Sequence, residues 1–259
     1  MQKRLPISVC MVSGAEAHRI ERTLDSVAAW TREIIIVLNA EVRDGTEEIA
    51  RRFGAQVFRE PWKGFIGQKN SAAEKCTGPW LLNLDADEVV PPALAAEIQN
   101  AVGQTAKPRT AYEFPRCTYY CGRWIRHGDW YPDRVRRLYR KDAAHWAGEE
   151  PHAQLHVHGP VGRLRSDLLH YSNESIAHQI AKIAPYHSDF VRRRLAAGQA
   201  TGIFDLTVRP PWRFLRAYFL RLGFLDGWPG FYIAALSAFS TLTRNAMVSE
   251  ANLPKPTLP

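Results

Sequence analysis

ISVCMV (7–12) and EIIIVL (33–38) are nearly continuous apolar runs, the pattern of parallel strands covered on both faces. Between them Ile20, Leu24 and Val27 recur at i, i+4 and i+7, which predicts an amphipathic helix. A second helix is predicted after DGTEEIARRF, with Asp44 as its cap and Glu47 at the capping-box position. AQVF (55–58) and WLLNL (80–84) read as further strands, and helical patterns fill 68–76 and 92–102. The order β-α-β-α-β-α-β predicts an α/β protein with an open, mainly parallel sheet and right-handed crossovers.

The pattern changes after the polar break GQTAKPRT (103–110). Residues 111–171 are rich in aromatics and arginine and predict mixed strands with long loops, whereas the chain from about 175 onward reads as helical. In particular, 210–246 reads as two helices separated by a turn at Gly-Trp-Pro-Gly (227–230). Two domains are therefore expected, 1–175 and a helical extension over 176–259.

Charge sharpens this division. The chain of 259 residues carries a net +8, and 176–259 hold ten Lys/Arg against four Asp/Glu. With 46% apolar and 23% charged residues, disordered, collagen-like and polytopic membrane chains are excluded. The four cysteines are too few for a disulfide scaffold and predict buried thiols in a reducing compartment. The first apolar run ends within seven residues, too short for a signal peptide, and the uncharged stretch 227–243 falls short of the ~20 residues of a membrane span. Both point to the cytoplasm.

Asp85-Ala86-Asp87-Glu88 follows the strand WLLNL directly. Acids at the carboxyl end of a strand stand where open α/β sheets bind ligands. Two carboxylates one residue apart can face one hard cation such as Mg²⁺, which takes one or two carboxylates plus phosphate oxygens. The alternative is an acidic turn that caps the helix beginning at Pro91–Pro92.

VSGAEAHRI, IIVLNAEVRDGTEEIA and REPWKGFIGQKNSAAEKCTGPWLLNLDADE together resemble the family 2 inverting glycosyltransferases, over roughly residues 5–175. GRWIRHGDWYPDRVRRLYRK, PHAQL, LLHY and GFLDG resemble the lipopolysaccharide-core members most. The resemblance implies a GT-A-like fold, a nucleotide-sugar donor (a UDP-sugar), Mg²⁺ or Mn²⁺, and a saccharide or glycolipid acceptor in cell-envelope glycan assembly. It implies nucleotide contacts for Glu16, Asn39, Asp44 and Lys69. Asp85 would meet the ribose or the diphosphate, and Asp87 with His170 the metal. Ala15 stands where the family usually has Asn, and Asn39 where it usually has Asp.

Inverting transfer needs a carboxylate that takes the acceptor hydroxyl's proton as its oxygen attacks C1. Gly148-Glu149-Glu150-Pro151-His152 resembles the element that supplies it, and the matching base is Glu150; Ala153 stands where many relatives have an acid. His156 and His158 would share one face of a strand, a spacing able to hold a metal or simply to be half-exposed. Trp124, Trp130 and Tyr131 suit a sugar ring, with Arg134, Arg136 and Arg137 for anionic groups. Arg213, Arg216 and Arg221 fall on one helical arc opposite Leu215, Tyr218 and Phe219, predicting an interfacial helix against an anionic membrane on the inner face of the plasma membrane. A nucleotidyltransferase would share fold and metal but would want a Gly-rich phosphate loop, and VSGAEAHR has one Gly. A nucleic-acid binder would leave 85–88 and 149–150 without a purpose, so no nucleic-acid partner is expected.

Overall fold

The computed structural model describes residues 4–103, 109–150, 152–172 and 175–253. They form two compact units: residues up to 116 together with 133–170, and 117–132 together with 171 onward.

The first unit is built as the apolar runs require. β1 (Leu5–Ser13), β2 (Thr31–Asn39), β3 (Gln56–Glu60) and β4 (Trp80–Leu84) lie parallel in the order β3-β2-β1-β4. Helices α1 (Ile20–Ala28), α2 (Thr46–Arg52) and α3 (Gly64–Lys75) make the crossovers. Beyond β4 the chain adds the short β5 (Glu88–Val89), helix α4 (Pro92–Gly103) and β6 (Ala111–Tyr120). β8 (Asp133–Arg140) pairs antiparallel with both β4 and β6, making the sheet mixed. β7 (Arg123–Ile125) folds back on the end of β6. β9 (Ala144–Glu149) and β10 (His152–Val157) form a separate hairpin. β11 (Val161–Arg163) lies along the start of β6, and β12 (Leu168–His170) pairs with β5, His170 opposite Glu88.

Strand alternation divides the core in two. Val9, Met11, Ile36 and Leu82 face Ile20, Leu24, Leu94 and Ile98 of α1 and α4. Cys10, Ile35, Val37 and Leu81 face Ala72 and Cys76 together with Trp146 and Leu155 of the β9–β10 hairpin. Strands buried on both faces explain the continuous apolar runs. Three of the four thiols, Cys10, Cys76 and Cys117, are buried.

One local expectation is corrected. The N-cap of α2 is Gly45, at φ 91°, rather than Asp44. Glu47 pairs with Arg51 at 2.7 Å and Arg59 at 2.6 Å instead of completing a capping box.

The second unit is mainly helical: α5 (Ile176–Ala196), α6 (Ile203–Thr207), α7 (Arg209–Leu215) and α8 (Gly227–Ala251). The break predicted at Gly-Trp-Pro-Gly is instead the first turn of α8. Pro229 fits there because the first N–H groups of a helix have no intrahelical acceptor. The real break lies upstream, where α7 passes through a π-helical turn (216–220) to Leu222 at φ 57° and then Gly223. Among the described residues no helix is long and apolar enough to cross a membrane.

Candidate active site

The parallel strands end together: Ser13 pairs with Leu38, and Met11 with Leu84. Hence Asn39, the loop carrying Glu16, and Asp85 all leave the same edge of the sheet. That edge is where open α/β sheets take ligands.

Asp85 follows β4 directly, one residue after its last buried position, Leu84. Asn83 is fully buried, donating to the Cys10 carbonyl at 3.0 Å, while its amide oxygen accepts from Lys69 Nζ at 3.2 Å and Arg137 Nη1 at 2.9 Å. The same two cations grip Asp85: Lys69 Nζ at 3.0 Å from Oδ1, and Arg137 Nη2 against Oδ2. Burial pushes the Asp85 carboxyl up, but Arg137 and Lys69 outweigh it and hold the group well below the usual carboxylate range. Glu88, the last acid of the run, is fully buried; it accepts from Arg137 at 2.7 Å, Arg116 at 3.0 Å and the Asp85 amide at 3.0 Å. Glu88 is thus an internal anchor.

Asp87 has a different environment. Its Oδ2 lies 3.5 Å from His170 Nε2 and 3.6 Å from Arg19. Burial raises this carboxyl, and His170 with Arg19 more than offsets that, leaving it below its ordinary value. The antiparallel pairing of β12 with β5 brings His170 here from far along the chain. A carboxylate oxygen and an imidazole nitrogen this close fit a shared divalent ion, whose remaining positions would fall to phosphate oxygens and water. Among the described residues no three His, Cys, Asp or Glu side chains gather as a metal cluster.

Lys69 and Asn70, adjacent on α3, divide two tasks. Lys69 reaches Asp85 and lies 4.7 Å over the Trp146 ring. Asn70 brackets the Trp146 backbone, accepting from its N–H at 2.9 Å and donating to its carbonyl at 2.8 Å. The pair locks the β9–β10 hairpin to the acidic edge. At the end of this hairpin Glu150 is exposed, and its Oε1 accepts from the Ile66 N–H in the first turn of α3 at 2.8 Å. Pro151 and the side chain of His152 fall outside the described residues.

Asp44 ties two loops together. It accepts from the Ala17 N–H at 3.0 Å and from the Thr46 N–H and hydroxyl at 3.1 and 2.6 Å, and Thr46 Oγ1 in turn accepts from the Glu16 N–H at 2.9 Å. Burial raises the Asp44 carboxyl, and these hydrogen bonds more than reverse the effect. Glu16 itself pairs with Arg19. Asn39 accepts weakly from the Glu41 N–H at 3.3 Å.

The structure therefore joins Lys69 with Asp85, Asp87 with His170, and Glu16 with Asp44, while Glu150 sits on α3. Sequence reasoning missed Asn83, Arg19 and the double grip of Arg137. The strand position of Asn83, a polar residue inside an otherwise apolar run, was the available signal.

Other expectations are redrawn. His156 and His158 both lie against His145, ring centroids 5.7 and 5.9 Å apart, exposed and stacked rather than around a metal. Arg213, Arg216 and Arg221, predicted to face a membrane, converge on the buried Asp129 at 2.8, 3.0 and 3.3 Å. Residues 203–231 expose many large apolar side chains, including Trp212, Phe219, Leu220 and Trp228, alongside Arg209 and Arg221.

Known proteins are similar to this chain in sequence and in fold. The model of glycosyl transferase family 2 matches residues 8–156. An uncharacterized glycosyltransferase of Rickettsia prowazekii is 31% identical over 95% of this chain and 88% of its own length. The lipopolysaccharide core biosynthesis glycosyltransferase LpsC of Rhizobium meliloti is 26% identical over 98% of both chains. The crystal structure of S. aureus TarS 1–349 in complex with UDP-GlcNAc aligns with a TM-score of 0.51 at 13% identity, covering 95% of this chain and 91% of that one. The fold expected from the sequence, GT-A-like with a helical C-terminal region, is the one observed. The chain belongs to glycosyl transferase family 2 and is a glycosyltransferase.

Proposed function

We propose that this enzyme moves a sugar, with inversion, from a UDP-sugar to a saccharide or glycolipid acceptor in lipopolysaccharide or other cell-envelope glycan assembly. The observation that carries the reading is the acidic edge after β4, where Asp85 is held by Lys69 and Arg137 while Asp87 stands beside His170. The full-length similarity to LpsC supports the envelope setting, and the same fold holds UDP-GlcNAc in TarS.

In this reading Glu16, Asn39 and Asp44 receive the nucleoside at the ends of β1 and β2, and Asp85 the ribose or diphosphate. Asp87 and His170 would hold Mg²⁺ or Mn²⁺, which supplies charge neutralisation for the leaving diphosphate. Lys69 adds positive charge beside it. Glu150 takes the acceptor hydroxyl's proton: with Oε1 engaged by the Ile66 N–H, Oε2 is left to receive it. The acceptor oxygen then bonds to C1 as the C1–O bond to the nucleoside diphosphate breaks. The acceptor is met at a bilayer surface on the cytoplasmic side, the exposed aromatic and aliphatic side chains of 203–231 entering the headgroup boundary.

Thermal unfolding across a panel of nucleotide sugars and nucleoside triphosphates, with and without Mg²⁺ or Mn²⁺, tests the donor. Metal-dependent protection by UDP-sugars is the expected result. Protection by triphosphates alone contradicts it.

A further inference from the structure

A cleft of about 400 Å³ lies in the first unit between β8 and the β9–β10 hairpin. Four arginines line it, Arg116, Arg134, Arg136 and Arg137, with Glu113 as the one acid among the lining residues and Trp146, Gln154 and Leu155 opposite.

The strand register explains this density of charge. Tyr112 pairs with Leu138, but Glu113 pairs with Arg136, so Arg137 is an extra residue in β8. A bulge of this kind bends the strand and re-aims a side chain. It lets Arg136 and Arg137 serve the same cleft, although alternation would send neighbours to opposite faces.

The arginines differ in what they have left to offer. Arg116 is bound to Asp133 at 2.6 Å and Glu88 at 3.0 Å, and Arg137 to Asp85 and Glu88. Arg137 nevertheless keeps its Nε buried without a hydrogen-bond partner. Arg136 meets Glu113 only at 3.8 Å, and Glu113 is already engaged by Arg163 at 2.8 Å. Arg134 is exposed, and no acid pairs with it among the described residues. A cleft with spare guanidinium donors and one shared acid is built for an anion, because planar guanidinium forks match phosphate and carboxylate oxygens.

We propose that this cleft binds an anionic substituent of the acceptor, a phosphate monoester or a uronate carboxylate, and thereby selects negatively charged saccharides. The assignment rests on the reading of the β9–β10 hairpin as the acceptor side. Ala153, Gln154 and Leu155 of β10 line the cleft, and Glu150 stands three residues before Ala153, in the turn where β9 leads into β10. Three residues of chain reach at most about 10 Å, so a saccharide hydroxyl can meet Glu150 while a charged group one unit away enters the cleft.

The test uses small probes on the intact protein, with UDP and Mg²⁺ saturating so that the donor subsite is filled. Glucose 6-phosphate, glucuronate and glucose are titrated and thermal unfolding is read, with UDP affinity measured in parallel. The proposal expects protection by the charged sugars and none by glucose. The stronger of the two names the anion. The double variant Arg134→Gln/Arg136→Gln, altered only at exposed side chains, should lose at least tenfold in affinity for the charged sugars and keep UDP affinity within twofold. Equal protection by glucose, or unchanged anion affinity in the double variant, overturns the proposal. A parallel loss of UDP affinity also overturns it, because it assigns these arginines to the donor. A wild-type protein that takes up glucose 6-phosphate without binding UDP would keep the anion cleft and remove the donor reading instead.

Discussion

Asp85 commits both carboxylate oxygens to cations of the protein itself, whereas Asp87 two residues later keeps company with an imidazole. In the proposed reading the first acid, held in place by two cations, meets the ribose or diphosphate, and the second exchanges a weak contact for a metal. For Glu150 the account expects Glu150→Gln to bind UDP normally and to lose about 10²–10⁴-fold in transfer rate, with Glu149→Gln near wild type. A larger loss in Glu149→Gln would move the base by one position. The depressed acids also set a pH dependence. Burial raises Glu60, but Lys63, Lys75 and Ser71 bring it down from 4.5 to about 2. Asp85 and Asp87 are lowered likewise. A carboxyl with a lowered folded pKa gives stability above its unfolded pKa and loses it as pH falls through the folded one. Thermal midpoints should therefore hold steady down to about pH 5, fall as pH drops toward about 2, and fall less steeply in Glu60→Gln. A wild-type midpoint indifferent to that window would contradict the ion-pair assignments. At this scale the acids were legible as a candidate site because Asp-Ala-Asp-Glu follows a strand end, where open α/β sheets take ligands. Arg137 was named only for anionic ligands, and its grip on Asp85 and Glu88 was not legible, since one extra residue in β8 decides where its side chain goes and the run RVRRLYRK does not mark which residue is extra.

Elements reveal a second limit of pattern reading. β1 to β4 were visible because strands buried on both faces leave uninterrupted apolar runs. α3 was legible in part, from the helical pattern over 68–76, and its first turn, from Gly64, was not. The helices of the second unit were misplaced because Gly-Trp-Pro-Gly reads as a turn wherever it stands, yet Pro229 occupies a first helical turn where its missing N–H costs nothing. Gly230 has a packing reason there. A Cβ at that position would lie 1.9 Å from the Gly223 carbonyl oxygen, which is backbone and has nowhere to retreat. Gly230→Ala should destabilise by more than about 2 kcal/mol in denaturant titration. Gly103→Ala, where an added Cβ meets nothing within 4 Å, should change stability by less than about 0.5 kcal/mol. Equal effects of the two substitutions would refute the close approach.

Across the whole molecule, part of the positive charge of the C-terminal region serves the fold: Arg213, Arg216 and Arg221, each still partly exposed, surround the one carboxylate of Asp129. The sequence alone suggested that these arginines would draw the protein to anionic lipid. The exposed apolar residues now carry that expectation, and they predict a different salt response. Electrostatic adhesion weakens as the Debye length falls from ~10 Å at 0.1 M to ~3 Å at 1 M, whereas apolar insertion persists. Co-sedimentation with phospholipid vesicles should survive 1 M salt and drop several-fold in Trp212→Ser/Phe219→Ser/Trp228→Ser. Release by salt in the wild type, or no vesicle binding at all, would contradict apolar insertion.

The central claim is that the edge after β4 is a metal-assisted nucleotide-sugar site. Calorimetric titration of UDP into the wild type and Asp87→Asn, each with and without Mn²⁺, addresses it directly. The account predicts that Mn²⁺ strengthens UDP binding at least tenfold in the wild type and that Asp87→Asn, still cooperatively folded at the titration temperature, loses this enhancement. UDP binding that is indifferent to Mn²⁺, or an enhancement that survives in Asp87→Asn, would contradict it.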